Sequence, residues 1–339
     1  MHIALDAMGG DHGPEELIAG ALLAVEQADL HVTLVGDQAL LGSILGRRGP
    51  GSSAAARIRI VHSSQVVEMN EHPVEAVRKK KDSSIMVAVD LVRKGEADAV
   101  VSAGNSGATM AATVRVLGRL EGISRPGIAS FFPTLKKPVV LMDVGANVDC
   151  RPLHLYQFAV MASCFSRIFD IGNPRIGLLT IGEEGGKGNQ LVKETYALLK
   201  NSSLNFVGNV EGRDVFRGDV DVIVCDGFVG NICLKMSEGL AEAAMQMLRN
   251  EIVKSLPAKI GYLLARPAFN RFRKRVDYAE YGGAPLLGIN GVGIVCHGSS
   301  SDQAIKNAIL EARKMVKHQV NAAILKSLAA DDNDRLMES

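Results

Sequence analysis

The sequence predicts an α/β protein on a doubly wound, mostly parallel sheet, and three observations lead there. Short apolar runs alternate with segments whose apolar residues recur at helical spacing. Most of those runs stop abruptly in glycines, as in Val222-Ile223-Val224-Cys225-Asp226-Gly227. A chain of 339 residues, 47% hydrophobic and with 35 glycines, can bury a large core between many tight connections.

The totals exclude several classes. Net charge is only +1, so overall electrostatics carries no nucleic-acid signature. Cys150, Cys164, Cys225, Cys233 and Cys296 are odd in number and scattered without a Cys-x-x-Cys pair. That pattern argues against a disulfide framework or a structural zinc site and suits a reducing cytoplasm. The first residues read as a strand, not as a basic segment followed by an apolar one, so no signal peptide is expected. No run reaches the roughly 20 apolar residues that a membrane-spanning helix needs.

Residues 1–7 read as a buried strand, and Pro14 opens a helix to about residue 28, a position that needs no N–H. Asp6, Asp11 and His12 crowd the turn between them, where metal binding and loop capping are both open; capping is the reading adopted, with no metal assigned. A strand over 31–36, a short helix, a linker-like surface loop over 46–53 and a strand over 57–62 follow. The run Arg78-Lys79-Lys80-Lys81 precedes a helix over 85–93. It reads as a solvated face, or as a place where Lys81 and Ser83 help hold an anion. Next come a strand over 97–102, a helix over 106–117 begun by Asn105 or Ser106, a strand over 139–143 and a helix over 153–169.

The strand over 175–181 runs into Gly182-Glu183-Glu184-Gly185-Gly186-Lys187-Gly188-Asn189 and then a helix over 190–199. Glycines let backbone N–H groups approach an anion, the helix start adds unpaired donors, and Lys187 adds a full charge. A plain tight turn is the alternative. The loop is not a Walker A motif, because Gly188 stands where Ser or Thr is required. The same strand-then-glycine grammar recurs after residues 7, 102, 143, 226 and 296. In a parallel sheet such loops leave one edge, so they are expected to converge on a shared cleft.

Strands over 205–210 and 220–226 precede a long, broadly apolar helix over 231–254, suited to a dimer interface or a core. Beyond it Leu256, Ile260, Leu263, Leu264, Phe269 and Phe272 keep helical spacing, and Pro257 and Pro267 are expected to break the segment into short pieces. Its other face carries Lys259, Arg266, Arg271, Arg273, Lys274 and Arg275, a basic, apolar-faced tip for an acidic partner protein or an anionic membrane surface, or else an ordinary packing arm. A glycine-rich stretch over 281–300 leads to a closing helix over 302–328. Residues 1–330 read as one domain, with the helical dimer region and tip at about 231–276 inside it, and 331–339 as a polar tail.

Six motifs, taken in order, resemble one family: Asp6-Ala7-Met8-Gly9-Gly10-Asp11, Ser102 to Ala108, Asp143-Val144-Gly145-Ala146-Asn147, Gly182 to Asn189, Asp226-Gly227-Phe228-Val229-Gly230-Asn231, and Tyr281-Gly282-Gly283-Ala284-Pro285-Leu286-Leu287-Gly288. The chain is similar to the PlsX family of bacterial phosphate acyltransferases from its first strand to its closing helix. The resemblance implies acyl transfer from acyl carrier protein to inorganic phosphate at the start of phospholipid synthesis. It implies a fold like that of phosphotransacetylases and of isocitrate and isopropylmalate dehydrogenases. It further implies a homodimer with no nucleotide or other cofactor, and peripheral attachment to the inner face of the cell membrane through the apolar tip. Lys187 and Asn231 stand at positions associated with catalysis in that family.

On this reading Lys187, Gly185 and Gly186 bind phosphate and Asn231 donates to the thioester carbonyl. Asn105, Ser106 and Asn147 complete the pocket, with Asp226 and His297 in support. Cys296 beside His297 also suggests an acyl-cysteine route, against which stands its place at the end of an apolar strand. Two rivals remain: an NAD(P)-dependent decarboxylating dehydrogenase on the same sheet, and a non-catalytic adaptor between carrier protein and membrane.

Overall fold

The computed structural model describes residues 1–48, 54–276 and 282–337. Residues 49–53 of the expected linker and Tyr281 lie outside them. Among the described residues eleven strands pair in the order β3-β2-β1-β4-β11-β10-β5-β6-β9-β7-β8. These are β1 (His2–Asp6), β2 (His31–Gly36), β3 (Ile58–His62), β4 (Ala99–Ser102), β5 (Gly127–Phe132), β6 (Val139–Met142), β7 (Ile176–Leu179), β8 (Phe206–Val210), β9 (Val222–Val224), β10 (Ala284–Leu287) and β11 (Gly293–Val295). The strands are mostly Val, Ile and Leu, as expected where both faces are covered. Along β1, Ile3 and Leu5 join the large core on one face while Ala4 joins a smaller core on the other. Along β6, Val140 and Met142 join that same large core, and Val139 and Leu141 a third.

The large core is covered by α1 (Pro14–Gln27), α6 (Pro152–Ser166), α7 (Gln190–Lys200) and α10 (Asp302–Lys317). Helix α1 lies close on α10 because Gly20 has no side chain: a Cβ there would stand 2.6 Å from that of Ile305. The opposite face is divided. Helices α3 (Pro73–Lys79), α4 (Ser84–Arg93) and α5 (Ser106–Val116) cover the first half, and the start of α8 (Gly227–Lys254) covers the second. Helix α2 (Gln38–Arg48) follows β2.

The expectation that every glycine loop leaves one edge is corrected. Strands β3, β2, β1, β4 and β11 form one parallel block, and β6, β9, β7 and β8 form another. Between them β10 runs antiparallel to both β11 and β5, and β5 antiparallel to β6, so the two blocks point in opposite senses. Neither β5 nor β10 was expected as a strand, and each reverses direction. The turns after β1, β4 and β11 therefore leave one edge, and those after β6, β7 and β9 leave the other. Both sets still border the same place. Val295 pairs with Ala284, Leu286 with Ile128 and Ala129 with Met142, so the ends of β11 and β6 stand at nearly one level across two short strands.

The helices depart from expectation in three places. The prolines do not fragment the tip: α9 (Leu256–Val276) is one helix with Pro267 inside it. Pro257 is its second residue, where no intrahelical donor is needed, and the exposed carbonyl that Pro267 leaves unbonded can take water. Helix α8 starts at Gly227, four residues before the expected start, because Asp226 caps it by accepting from the Val229 N–H at 2.9 Å. The closing helix is two, α10 and α11 (Val320–Met337), separated by Gln319 at φ 50, so most of the expected polar tail is helical.

Candidate active site

A cavity of about 230 Å³ opens where the two blocks meet. Ser106 and His297 reach it from the first block, Val144, Gly145 and Asn231 from the second, and Ile128 and Ser130 from β5 between them. Loops of opposite strand sense thus share one chamber. Its wall is largely apolar, with Phe131, Leu234 and Val295 beside those polar groups. One helical turn beyond Asn231, Lys235 lines it and pairs with Glu238 at 3.0 Å. Sequence reading missed that pair; the i to i+4 spacing from Asn231 was the available signal.

The turn after β6 is closed by its own acid. Asp143 is fully buried, and its Oδ1 accepts from the N–H groups of Ile128 at 3.1 Å, Gly145 at 3.2 Å and Ala146 at 3.0 Å. Its Oδ2 accepts from the Asn147 N–H at 2.8 Å and the Asn147 Nδ2 at 2.9 Å. Burial pushes this carboxyl above its ordinary range, against the pull of those donors. Helix α8 docks on the turn so closely that a Cβ at Gly230 would lie 1.9 Å from the Asp143 carbonyl oxygen. Asn231 is thereby set beside Gly145.

The turn after β1 works similarly. Asp6, 3% exposed, accepts from the Ser102 hydroxyl at 2.8 Å and the Met8 N–H at 3.4 Å, and burial raises its pKa. Asp11 and His12 are exposed, and among the described residues no group of three or more His, Cys, Asp or Glu could hold a metal.

The remaining expected site residues separate into those that reach the cavity and those engaged elsewhere. Ser106, Asn231 and His297 line it. The Ser299 N–H donates to His297 Nδ1 at 3.2 Å, so the proton of the neutral ring rests on Nε2. Asn105 does not complete the pocket. Its Oδ1 caps α5, accepting from the Ala108 N–H at 3.0 Å, and its Nδ2 donates to the carbonyls of Met69 at 3.1 Å and Glu71 at 3.0 Å. Asn147 is likewise taken up, with Nδ2 donating to the Pro126 carbonyl at 2.8 Å and to Asp143. Asp226 serves as the cap of α8. Cys296 lines the cavity, but burial pushes its thiol up to about 12, which disfavours the thiolate that the acyl-cysteine route needs. At the expected second anion site, the Ser83 hydroxyl donates to the Lys80 carbonyl at 2.9 Å.

The lysine loop differs from these turns. Lys187, Gly185 and Gly186 are exposed and stand outside the cavity wall. The Lys187 N–H donates to the Glu184 carbonyl at 2.9 Å, and Asn189 caps α7 by accepting from the Val192 N–H at 3.0 Å. Among the described residues the N–H groups of Gly185, Gly186 and Gly188 make no protein hydrogen bond. In sheet order β7 lies two positions from β6 and parallel to it, about 10 Å at the usual strand spacing, so this loop leaves the same edge as the turns bearing Gly145 and Asn231.

The arm extends away from this site. On α9, Leu256, Ile260, Leu263 and Leu264 are 70, 54, 65 and 79% exposed at spacings that place them on one face. On α8, Met236, Leu240 and Met247 are 70, 71 and 68% exposed. Phe269 is half-buried against the Tyr262 ring, with centroids 5.1 Å apart. Arg271 is exposed, and the side chains of Arg273 and Lys274 lie outside the described residues. Arg275 does not reach outward as a tip cation: its guanidinium donates to the carbonyls of Thr134, Leu135 and Lys136 at 2.9, 2.6 and 3.2 Å, tying the arm to the turn between β5 and β6. Among the described residues no helix is long and apolar enough to cross a membrane.

Residues 1–323 match the sequence profile described as fatty acid synthesis protein. A protein of Geotalea uraniireducens named phosphate acyltransferase is 56% identical over 329 residues, 97% of this chain and 94% of that one. Another so named, from Geobacter sulfurreducens, is 54% identical over 332 residues, 98% of this chain and 95% of its own. Among solved structures, a phosphotransacetylase from Streptococcus pyogenes has a TM-score of 0.61 at 20% identity, covering 93% of this chain and 94% of that one. A 4-hydroxythreonine-4-phosphate dehydrogenase from Klebsiella pneumoniae has 0.55 at 16%, covering 93 and 99%. At those identities the likeness is one of fold, and it bears out the expected phosphotransacetylase-like and dehydrogenase-like architecture.

Proposed function

The chain belongs to the fatty acid synthesis protein family and is an acyltransferase, and from that premise we propose that it moves a fatty acyl group from acyl carrier protein to inorganic phosphate. The full-length likeness to proteins named phosphate acyltransferase carries this reading. A phosphate oxygen attacks the thioester carbonyl carbon, the tetrahedral intermediate collapses, and the carbon–sulfur bond breaks. The thiolate leaves and takes a proton from solvent, and acyl phosphate is the product, supplied to phospholipid synthesis.

Two problems set the residues' roles. Phosphate must be held against the carbonyl, and the developing oxyanion needs donors. Lys187 and the open N–H groups of Gly185 and Gly186 hold the phosphate. Asn231, presented at the cavity by the Gly230 contact, donates to the carbonyl oxygen, and Ser106 and His297 line the acyl end. Near neutral pH a large share of phosphate is already the dianion, so no strong base is required. Asp226 supports the site by fixing the first turn of α8, which carries Asn231.

The exposed apolar faces suit two further partners. The stripe of Met236, Leu240 and Met247 on α8 packs on a second copy of the chain. The Leu256 to Leu264 face of α9 rests on the inner surface of the cell membrane, with basic residues toward anionic headgroups or carrier protein. The experiment that tests the activity mixes purified protein with acyl carrier protein thioester and phosphate and traps acyl phosphate with hydroxylamine. Lys187→Ala is expected to keep its fold and lose on the order of 10²-fold to 10³-fold in turnover. Normal turnover by that variant sinks the role given to Lys187, and absence of trappable product with the parent protein sinks the reaction.

A further inference from the structure

We propose that Asn209 is the positioning residue for the lysine loop, an inference that rests on reading that loop as the phosphate cradle. Asn209 is near the end of the edge strand β8, 8% exposed, and its Nδ2 donates at 2.8 Å to the Glu184 carbonyl. The same carbonyl accepts the Lys187 N–H at 2.9 Å. Glu184 to Lys187 is therefore a tight turn whose first carbonyl is clamped from outside by one side-chain amide.

The clamp needs the strand to be irregular. Between Ile176–Phe206 and Gly177–Gly208 the register of β7 against β8 shifts by one residue, and Gly208 sits at φ 113. A bulge of this kind changes which side chains face each side of the sheet. Here the residue following it is Asn209, aimed at the loop.

The amide is also incompletely satisfied in a way that a purely structural residue would avoid. Only Nδ2 can face the Glu184 carbonyl, because a carbonyl accepts and does not donate. That leaves Oδ1 buried without a partner, a cost that an apolar residue would not incur. Beyond the clamp, the loop is fixed at its far end by the Asn189 cap, and Gly185, Gly186 and Gly188 hang between the two anchors with donors open. Loss of the near anchor lets those donors diverge, which weakens phosphate before it weakens the fold.

The test is steady-state kinetics of the full chain with acyl carrier protein thioester and inorganic phosphate, beside thermal melting. Asn209→Ala is expected to raise the phosphate KM about tenfold, the worth of one such hydrogen bond, with the acyl-donor KM unchanged. Asn209→Asp keeps the shape but turns a second acceptor toward the Glu184 carbonyl, and it regains a donor only when protonated. Its phosphate KM is expected to rise at least as far as that of the alanine variant, because an ionised carboxylate can only accept and repels the Glu184 carbonyl. A structural role would lower melting temperature and active fraction and leave both KM values alone. An unchanged phosphate KM in Asn209→Ala or in Asn209→Asp overturns the proposal; the second decides if the alanine variant does not fold. Lys187→Ala measured alongside separates the two levels. If it too retains normal phosphate KM and turnover, the reading of the loop has failed; if it is inactive while the Asn209 variants are normal, only the present inference has.

Discussion

The turn after β6 and the loop after β7 leave the same edge of the sheet and share the same grammar, an apolar strand ending in glycines, yet they treat their backbone donors in opposite ways. In the first, the residue just past the strand is Asp143, and its carboxylate gathers the N–H groups of Gly145, Ala146 and Asn147. In the second the same position is Thr180. The loop's own acids lie elsewhere, Glu183 paired with Arg213 at 3.6 Å and Glu184 beside Gly182, and among the described residues the donors of Gly185, Gly186 and Gly188 make no protein hydrogen bond. The glycines alone do not make an anion site. What matters is whether the strand end supplies an internal anion first, and Asp6, the last residue of β1, repeats the closed case.

The largest effect is expected where the closed turn is broken. Asp143→Ala removes the acceptor of five hydrogen bonds and leaves four backbone N–H groups without it, of which that of exposed Gly145 can turn to water while those of Ile128, Ala146 and Asn147 are partly or fully buried. Each such orphan costs about 1–3 kcal/mol, and although the costs do not add fully, a loss on the order of 4 kcal/mol in urea unfolding is expected. A loss under about 1 kcal/mol shows that the turn is not held by its acid.

Much of this was readable beforehand, and the misses share a cause. Runs such as Val222-Ile223-Val224 and Ile176-Gly177-Leu178-Leu179 identify their strands through composition alone. Strands β5 and β10 escaped because one is a mixed six-residue run and the other four residues with a proline among glycines. Their antiparallel sense is a property of pairing between distant segments that no local pattern carries. Asn105 and Asn147 were chosen by residue type beside glycines. Their donors go to carbonyls as far away as Glu71 and Pro126, partners that only the fold reveals. Asn231, Ser106 and His297, which line the cavity, were marked locally by their glycine turns; Lys187 was marked in the same way but stands outside the cavity wall. Asn209 had no such mark.

A second contrast sharpens the first by asking what a buried carboxyl does without donors. Glu311 on α10 is 4% exposed, its Oε1 has no hydrogen-bond partner, and burial pushes its carboxyl from 4.5 to about 7, opposed by the charge of Lys314. The folded chain holds this proton at pH values where the unfolded chain has released it. Its stabilising contribution is therefore complete below about pH 4.5 and is lost as pH rises toward about 7, a span worth up to about 3 kcal/mol. Glu311→Gln is expected to remove that slope and to unfold at higher urea than the parent at pH 8. Equal pH profiles for the two proteins dismiss the assignment.

The smallest expected effect is also the most direct trial of the comparison: give the open loop the acid that closes its neighbour. Thr180 is half-buried, its N–H donates to the Val210 carbonyl at 2.9 Å, and its hydroxyl lies beneath Gly188, where a Cβ would stand 2.6 Å from it. A carboxylate placed there meets the N–H groups now left open and confronts phosphate with like charge. Thr180→Asp is expected to raise the phosphate KM roughly tenfold while the melting temperature holds or rises slightly, since donors that were solvated gain an internal partner. Thr180→Asn, which offers an acceptor without the charge, should fall between the two. If both variants bind phosphate as the parent does, open donors at this loop are not what holds the anion, and the distinction drawn between the two turns describes packing alone.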